Sequence, residues 1–265
     1  MYGTIRVMSK LLAIFAHPDD ETFSLGGTIA KYAKSDWKID LVCATRGEAG
    51  DLGPYAGNEN VNLGNIRQKE LEAAAELLGC HSVTFMDFKD GKLADASPGN
   101  IEDKLTQLLI VHKPDVIVTF DPTGISNHPD HIRLSLAATY AFQVYAKLRH
   151  KEKPDDERPP RLYYACMPES VAEYLKKNHV IPQESYEKPW RGVDDKNVST
   201  VIDIKRFAAI KKKALHLHVS QEKDVERFIR FKTNPIFRQE YLVLRMIGID
   251  EAFMGKYDAV SDRLI

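Results

Sequence analysis

At 265 residues the chain is long enough for one large domain or two small ones, and its 43% apolar and 28% charged residues suit a globular protein with a sizeable core. Its 37 basic and 38 acidic residues nearly cancel, which leaves no electrostatic footprint for nucleic acid or an anionic membrane surface. No window approaches the ~18 apolar residues of a membrane helix; Cys43, Cys80 and Cys166, odd in number and without CxxC spacing, read as thiols of a cytoplasmic protein.

The N-terminal stretch "MYGTIRVMSKLLAIFA" lacks a small-residue cleavage site and runs into charge, so it does not read as a signal peptide. From there two periods alternate. Apolar, β-branched runs at 10–16, 38–45, 82–87 and 114–120 have strand length, and helical patterns fill 26–35, 65–79 and 101–113 between them. Gly79 suits the C-cap of the second of these helices. Strands apolar on both faces and alternating with helices predict a Rossmann-like α/β fold, a mostly parallel sheet with helices on both faces. A fourth helix over about 129–148 leads into a charged, proline-rich loop at 149–161. Beyond it the pattern predicts a strand at 161–167, a helix at 168–178 and a strand at 199–204. Helices at 205–217 and 220–232 and a last strand at 240–248 follow. The basic run at 205–213 reads as a solvated helix face. The whole, 1–265, is read as a single domain: a Rossmann-like core at 1–150 and a C-terminal extension of the same sheet at 151–265.

In open parallel sheets ligands bind beyond the carboxyl ends of the strands. Three unusual loops belong there: "AHPDDE" after the first strand, a twenty-residue loop from Thr45 after the second, and "DPTGISNHPDH" after the fourth. His17 and Asp20 are three apart, as are His128 and His131, so each pair shares one face of a turn or first helical turn. Pro18 and Pro129 suit a helix start. Two such turns facing each other supply two imidazoles and a carboxylate, the donor set of a catalytic zinc site with one position open. Spacing leaves open which of His128 and His131 is the ligand, and whether the ion is zinc or another divalent transition metal. Asp19, beside Asp20, is the candidate general base. The remaining imidazole could stabilise an oxyanion or assist a leaving amine, with Asp130 orienting it and keeping it protonated. Together these parts describe metal-assisted hydrolysis of a carbonyl compound.

At these residues the sequence resembles the LmbE-like, or PIG-L, family of metal-dependent de-N-acetylases. The first family motif is present as Ala16–Glu21 and the second as His128–His131, with "TRGEAG" at 45–50, the Arg67/Glu70 pair and "KKKALHLHVSQ" at 211–221 as weaker matches. The resemblance spans about 10–221 and does not extend with assurance to the last forty residues. It implies His17, Asp20 and His131 as ligands of one zinc ion per chain and Asp19 as general base. It further implies His128 as the oxyanion and leaving-group residue, with Asp130 as its partner. The implied reaction removes acetate from an N-acetylglucosamine-containing small molecule. Arg46, Glu48 and Arg67 are the candidate substrate contacts, although Arg67 could instead pair with Glu70 on its own helix. His218 could border the site or sit in the core. One departure stands out: several family members carry an aromatic hydroxyl two residues before the second motif, and here that position is Ser126.

The rivals are an amidase for another amide conjugate, a phosphoesterase, and a metal-binding Rossmann-type module without deacetylase activity. Phosphoester chemistry commonly uses two metals, and the ligands for a second are lacking. A nucleotide-binding module needs GxGxxG after the first strand, where only Leu25-Gly26-Gly27 stands. The loops at 46–64 and 149–161 could line a pocket or the interface of a homo-oligomer.

Overall fold

A computed structural model describes residues 8–253 and 259–265. The first seven residues of the stretch read against a signal peptide lie outside the described residues. Five parallel strands form the centre: β1 (Lys10–Phe15), β2 (Lys38–Thr45), β3 (Ser82–Phe88), β4 (Val116–Phe120) and β5 (Arg161–Cys166). Their spatial order is β3-β2-β1-β4-β5. Helices α1 (Asp20–Ala33) and α2 (Leu63–Leu78) pack with α7 (Ala208–Leu217) on one face, and α3 (Asn100–His112) packs with α5 (Pro129–Glu152) on the other. The one-turn α4 (Gly124–Asn127) and the pair α6 (Glu169–Lys177) and α8 (Glu222–Arg230) complete the helices.

The predicted late strand forms as β9 (Gln239–Ile247) and runs antiparallel beside β5. β8 (Thr200–Asp203) and β10 (Asp250–Glu251) pair with it in turn, so the C-terminal part extends the same sheet. A two-residue pair, β6 (Glu184–Ser185) and β7 (Lys188–Pro189), stands apart. It is too short to leave a periodic trace in sequence.

Strand β1 is buried from Leu11 through Ala16, as a central parallel strand covered on both faces must be. Gly79 caps α2 with φ 88°, its N–H reaching back to Ala75 and Glu76 carbonyls, as expected. Helix α1 begins six residues earlier than its apolar period suggests, so Asp20 and Glu21 lie in its first turn. Helix α5 runs to Glu152, which shortens the charged loop expected at 149–161. The basic run also needs correction at one residue. Lys211 is fully buried, and its ammonium donates to the carbonyls of Phe23 (2.8 Å) and Ile236 (3.0 Å) and to Glu240 (2.7 Å). Glu240 in turn accepts the N–H groups of Gly27 and Thr28, tying β9 to α1.

The strand order reverses between β1 and β4, whose neighbours lie on opposite sides. Their chains leave the sheet in opposite directions there and open a crevice at their carboxyl ends. Phe15 and Phe120, the last residues of the two strands, meet edge to face at 5.0 Å beneath it.

Candidate metal centre and catalytic groups

Both charged motifs arrive at this crevice. After β1 the chain turns through His17 and Pro18 into Asp19, whose φ of 116° is left-handed, and α1 starts at once. The Asp19 carbonyl accepts the N–H groups of Thr22 and Phe23, and the Asp19 N–H is held by the Glu21 carboxylate at 3.1 Å. After β4, Gly124, Ile125 and Asn127 all take positive φ. A side chain at Gly124 would place its Cβ 2.8 Å from that of His131. This tight passage seats His128 as N-cap of α5 and His131 in its first turn.

His17 Nδ1, His131 Nε2 and the Asp20 carboxylate converge. The two nitrogens are 3.1 Å apart, and the carboxylate oxygens lie 3.4 Å from His17 and 3.3 Å from His131. Donors around a tetrahedral ion with bonds of 2.0–2.1 Å are separated by about 3.3 Å. The outer nitrogens explain why both rings turn their lone pairs inward. His131 Nδ1 donates to the Gly124 carbonyl at 3.1 Å, and His17 Nε2 donates to Asp90 at 2.9 Å and Asp130 at 3.3 Å. Two imidazole nitrogens and a carboxylate sit this close only with a proton or a metal ion between them, and a metal ion would displace the proton. The donor set therefore fits a metal ion.

His17, His128 and His131 also have donor atoms within 4.8 Å of one another, as do His17, Asp90 and Asp130. The two carboxylates of the second set are already occupied. Asp130 accepts the N–H groups of Gly91 (2.8 Å) and Leu93 (3.0 Å), and Asp90 that of Ala49 (2.9 Å). They serve as the outer partners of His17. Burial opposes a charge on that imidazole, yet Asp130, Asp20 and Asp90 together raise it well above its ordinary range.

This corrects the role expected of Asp130. Its carboxylate orients His17; it reaches His128 only through its backbone N–H, which donates to His128 Nδ1 at 3.1 Å. Nor is His128 kept protonated: burial first, then the neighbouring His131 and His17, push it down to about 4. Neutral His128 accepts at Nδ1 and so carries its proton on Nε2. Its ring stacks on His131 at 4.6 Å and meets Tyr186 edge-on at 4.7 Å. Tyr186 sits with Glu187 in the positive-φ turn between β6 and β7. An aromatic ring thus approaches His128 from a segment distant in sequence, while Ser126 stands where an aromatic hydroxyl was sought.

Asp19 lies beside this cluster. Burial pushes its carboxyl up to about 7, against the pull of the Arg67 guanidinium 3.3 Å away. Arg67 is buried and also donates to the carbonyls of Pro18 (2.6 Å) and Gly47 (2.9 Å), so it clamps two loops together behind Asp19. The Arg67–Glu70 pair does not form. The Glu70 carboxylate is spent on the N–H (2.8 Å) and hydroxyl (2.7 Å) of Ser220. Arg46 turns outward to Asp87 at 2.6 Å and lies over Phe85, away from the cluster. Glu48 accepts the Asp90 N–H at 2.9 Å. His218 is buried against Glu21 at 3.3 Å, one layer behind Asp19.

Sequence reasoning missed Asp90, Glu21 and Tyr186. Asp90 follows β3, a strand end that the ligand rule for parallel sheets also covers, and that was the available signal.

The profile of the family described as PIG-L, GlcNAc-PI de-N-acetylase, matches residues 12–142. A 1D-myo-inositol 2-acetamido-2-deoxy-alpha-D-glucopyranoside deacetylase from Actinosynnema mirum is 32% identical over 82% of this chain and 82% of its own length. A protein of the same description from Rhodococcus erythropolis is 29% identical over 80% and 81%. Among solved structures, an N,N'-diacetylchitobiose deacetylase from Pyrococcus horikoshii superposes with a TM-score of 0.66 at 23% identity, covering 91% of this chain and 85% of its own. A 4-carboxy-2-hydroxymuconate hydratase from Pseudomonas putida shares the fold at a TM-score of 0.64 and 21% identity, covering 92% and 99%.

Proposed function

Because this chain belongs to the PIG-L family of de-N-acetylases, we propose that it hydrolyses the N-acetyl group of an N-acetylglucosamine-containing small molecule, releasing acetate and a free amine. The observation that carries this reading is the inward-facing set of His17 Nδ1, His131 Nε2 and the Asp20 carboxylate at 3.1–3.4 Å. These three residues would hold one zinc ion per chain. Such an ion, when bound, supplies Lewis-acid chemistry, acidifying water and polarising an amide carbonyl.

The chain's own groups do the rest. Asp19 accepts the proton of the attacking water, a task suited to a carboxyl raised to about 7. Glu21 holds its left-handed backbone and Arg67 contacts its carboxylate. His128, neutral and with Nε2–H free, donates a hydrogen bond to the oxyanion and steadies the departing amine. The proton taken by Asp19 is then available to the amine nitrogen. Arg67 acts as a clamp behind Asp19, and Glu48 acts through Asp90, so the polar wall toward β2 and β3 is the side for the sugar. Cys43, Cys80 and Cys166 are unpaired thiols, which supports a reducing, cytoplasmic setting. Among the described residues no helix is long and apolar enough to cross a membrane.

The test is acetate release from a panel of N-acetylglucosaminides by metal-loaded protein, compared with Asp19→Asn. Release from at least one conjugate is expected. The substitution should lower it by about two or more orders of magnitude, the loss of a general base, with metal content unchanged. A panel left inert by protein carrying its metal would sink the deacetylase reading.

A further inference from the structure

A cavity of about 250 Å³ opens directly from the centre, with Asp19, Asp20 and His131 in its wall. It runs toward β5 and β9, the side opposite Asp90 and Glu48. Its far walls are the side chains of Phe23, Met167, Val171, Trp190, Phe228 and Tyr241. The charged groups among its lining residues are already matched. Lys211 is paired with Glu240 at 2.7 Å and Arg227 with Asp224 at 2.6 Å, while Gln239 accepts the Tyr241 hydroxyl at 3.0 Å. Apart from the catalytic groups, the polar contribution left is the hydroxyls of Ser24 and Ser126, the Gln239 amide N–H groups and the buried, unpartnered indole N–H of Trp190, set among otherwise apolar side chains.

A sugar ring carries a hydroxyl on nearly every carbon, and those facing Phe23, Met167, Val171 and Phe228 would lose their water without a partner. His128, which steadies the departing amine, is not among the lining residues. What enters the cavity is therefore the other substituent of the carbonyl carbon. We propose that the cavity is an acyl pocket, and that the preferred substrate is an amino sugar N-acylated with a straight chain of about four to eight carbons. An apolar cavity of about 150 Å³ already holds a benzene ring, so an acetyl methyl would leave most of this one unfilled.

The inference rests on the amide-hydrolase reading above and deepens it. The reaction is unchanged in kind: water adds across the amide, the C–O bond forms as C–N breaks, and the proton held by Asp19 passes to the amine. The products are a fatty carboxylate and the free amino sugar, with no oxidant or reductant needed.

The experiment measures kcat/KM of the metal-loaded protein on N-acetyl-, N-butanoyl-, N-hexanoyl- and N-octanoylglucosamine. Each methylene that is buried should raise kcat/KM about threefold to fourfold, so hexanoyl should exceed acetyl by at least about tenfold. Val171→Phe, which fills the cavity, should cut the hexanoyl-to-acetyl ratio about tenfold, with metal content showing that the variant is folded. A rate that falls steadily from acetyl upward would overturn the acyl pocket and leave deacetylation standing. If no amide is cleaved, the hydrolase reading falls and binding decides the pocket. N-octanoylglucosamine should then bind at least about tenfold tighter than the N-acetyl compound, and equal binding would overturn the inference.

Discussion

Asp19 holds a left-handed backbone, φ 116°, that costs an L-residue about 1–3 kcal/mol and persists only where its surroundings over-determine it. Glu21 grips its N–H, α1 draws on its carbonyl, and Arg67 touches its carboxylate. Burial raises that carboxyl and Arg67 opposes the rise. A general base works only when ionised, so activity should fall as pH drops through its acid limb. Arg67→Met removes the opposing charge, and the acid limb of kcat/KM should move to higher pH, with more activity lost at pH 6 than at pH 8. Asp90 acts one step further out, through His17 Nε2. Asp90→Asn should weaken metal affinity about 10–100-fold, as loss of a ligand's outer partner does, and competition against a chelator measures it. The residues bearing the chemistry were legible where they cluster in sequence, as in "HPDDE" and "HPDH". Asp90 was not: it sits in an ordinary Lys-Asp-Gly turn with no histidine nearby to mark it. The contact of Arg67 with Asp19 joins positions 48 apart, which no local period encodes.

At the scale of elements, helix α1 carries two duties. Its first turn presents Asp20 to the centre, and its middle packs so closely on the segment after β8 that a Cβ at Gly27 would lie 2.5 Å from the Ile204 side chain. The Lys211–Glu240 pair holds the same helix to β9. Lys211→Met removes one partner and leaves Glu240 buried with its charge. Unfolding in denaturant should show a loss of about 3–5 kcal/mol, the usual cost of breaking a buried pair. Strands β1 to β5 were legible because buried parallel strands are continuous apolar runs. The antiparallel direction of β9 was not, since apolar content says nothing of strand polarity. The start of α1 was signalled by Pro18 but fell outside the apolar period, which begins only at Gly26. A buried lysine inside a basic run was likewise invisible to a composition argument.

At the scale of the whole molecule, the centre lies at the reversal of strand order, with a polar wall toward β2 and β3 and an apolar cavity toward β5 and β9. A hydratase and a deacetylase share this fold, so the architecture places a site without choosing its reaction. The choice comes from the side chains.

The three converging donors come from two distant segments, and His17 and His131 are 114 positions apart in sequence. An ion that joins them links the turn after β1 to the turn after β4, and the unfolded chain cannot reproduce that link. Metal occupancy is then a folding variable as well as a catalytic one. At free metal about 100-fold above Kd the native state should gain about 2.7 kcal/mol. Thermal unfolding should show one transition whose midpoint climbs with added zinc and drops with chelator. His131→Ala, which removes a donor, should flatten that dependence. The free metal of its surroundings would then set how long each molecule lasts, with ion-starved chains opening and being degraded before they are merely idle.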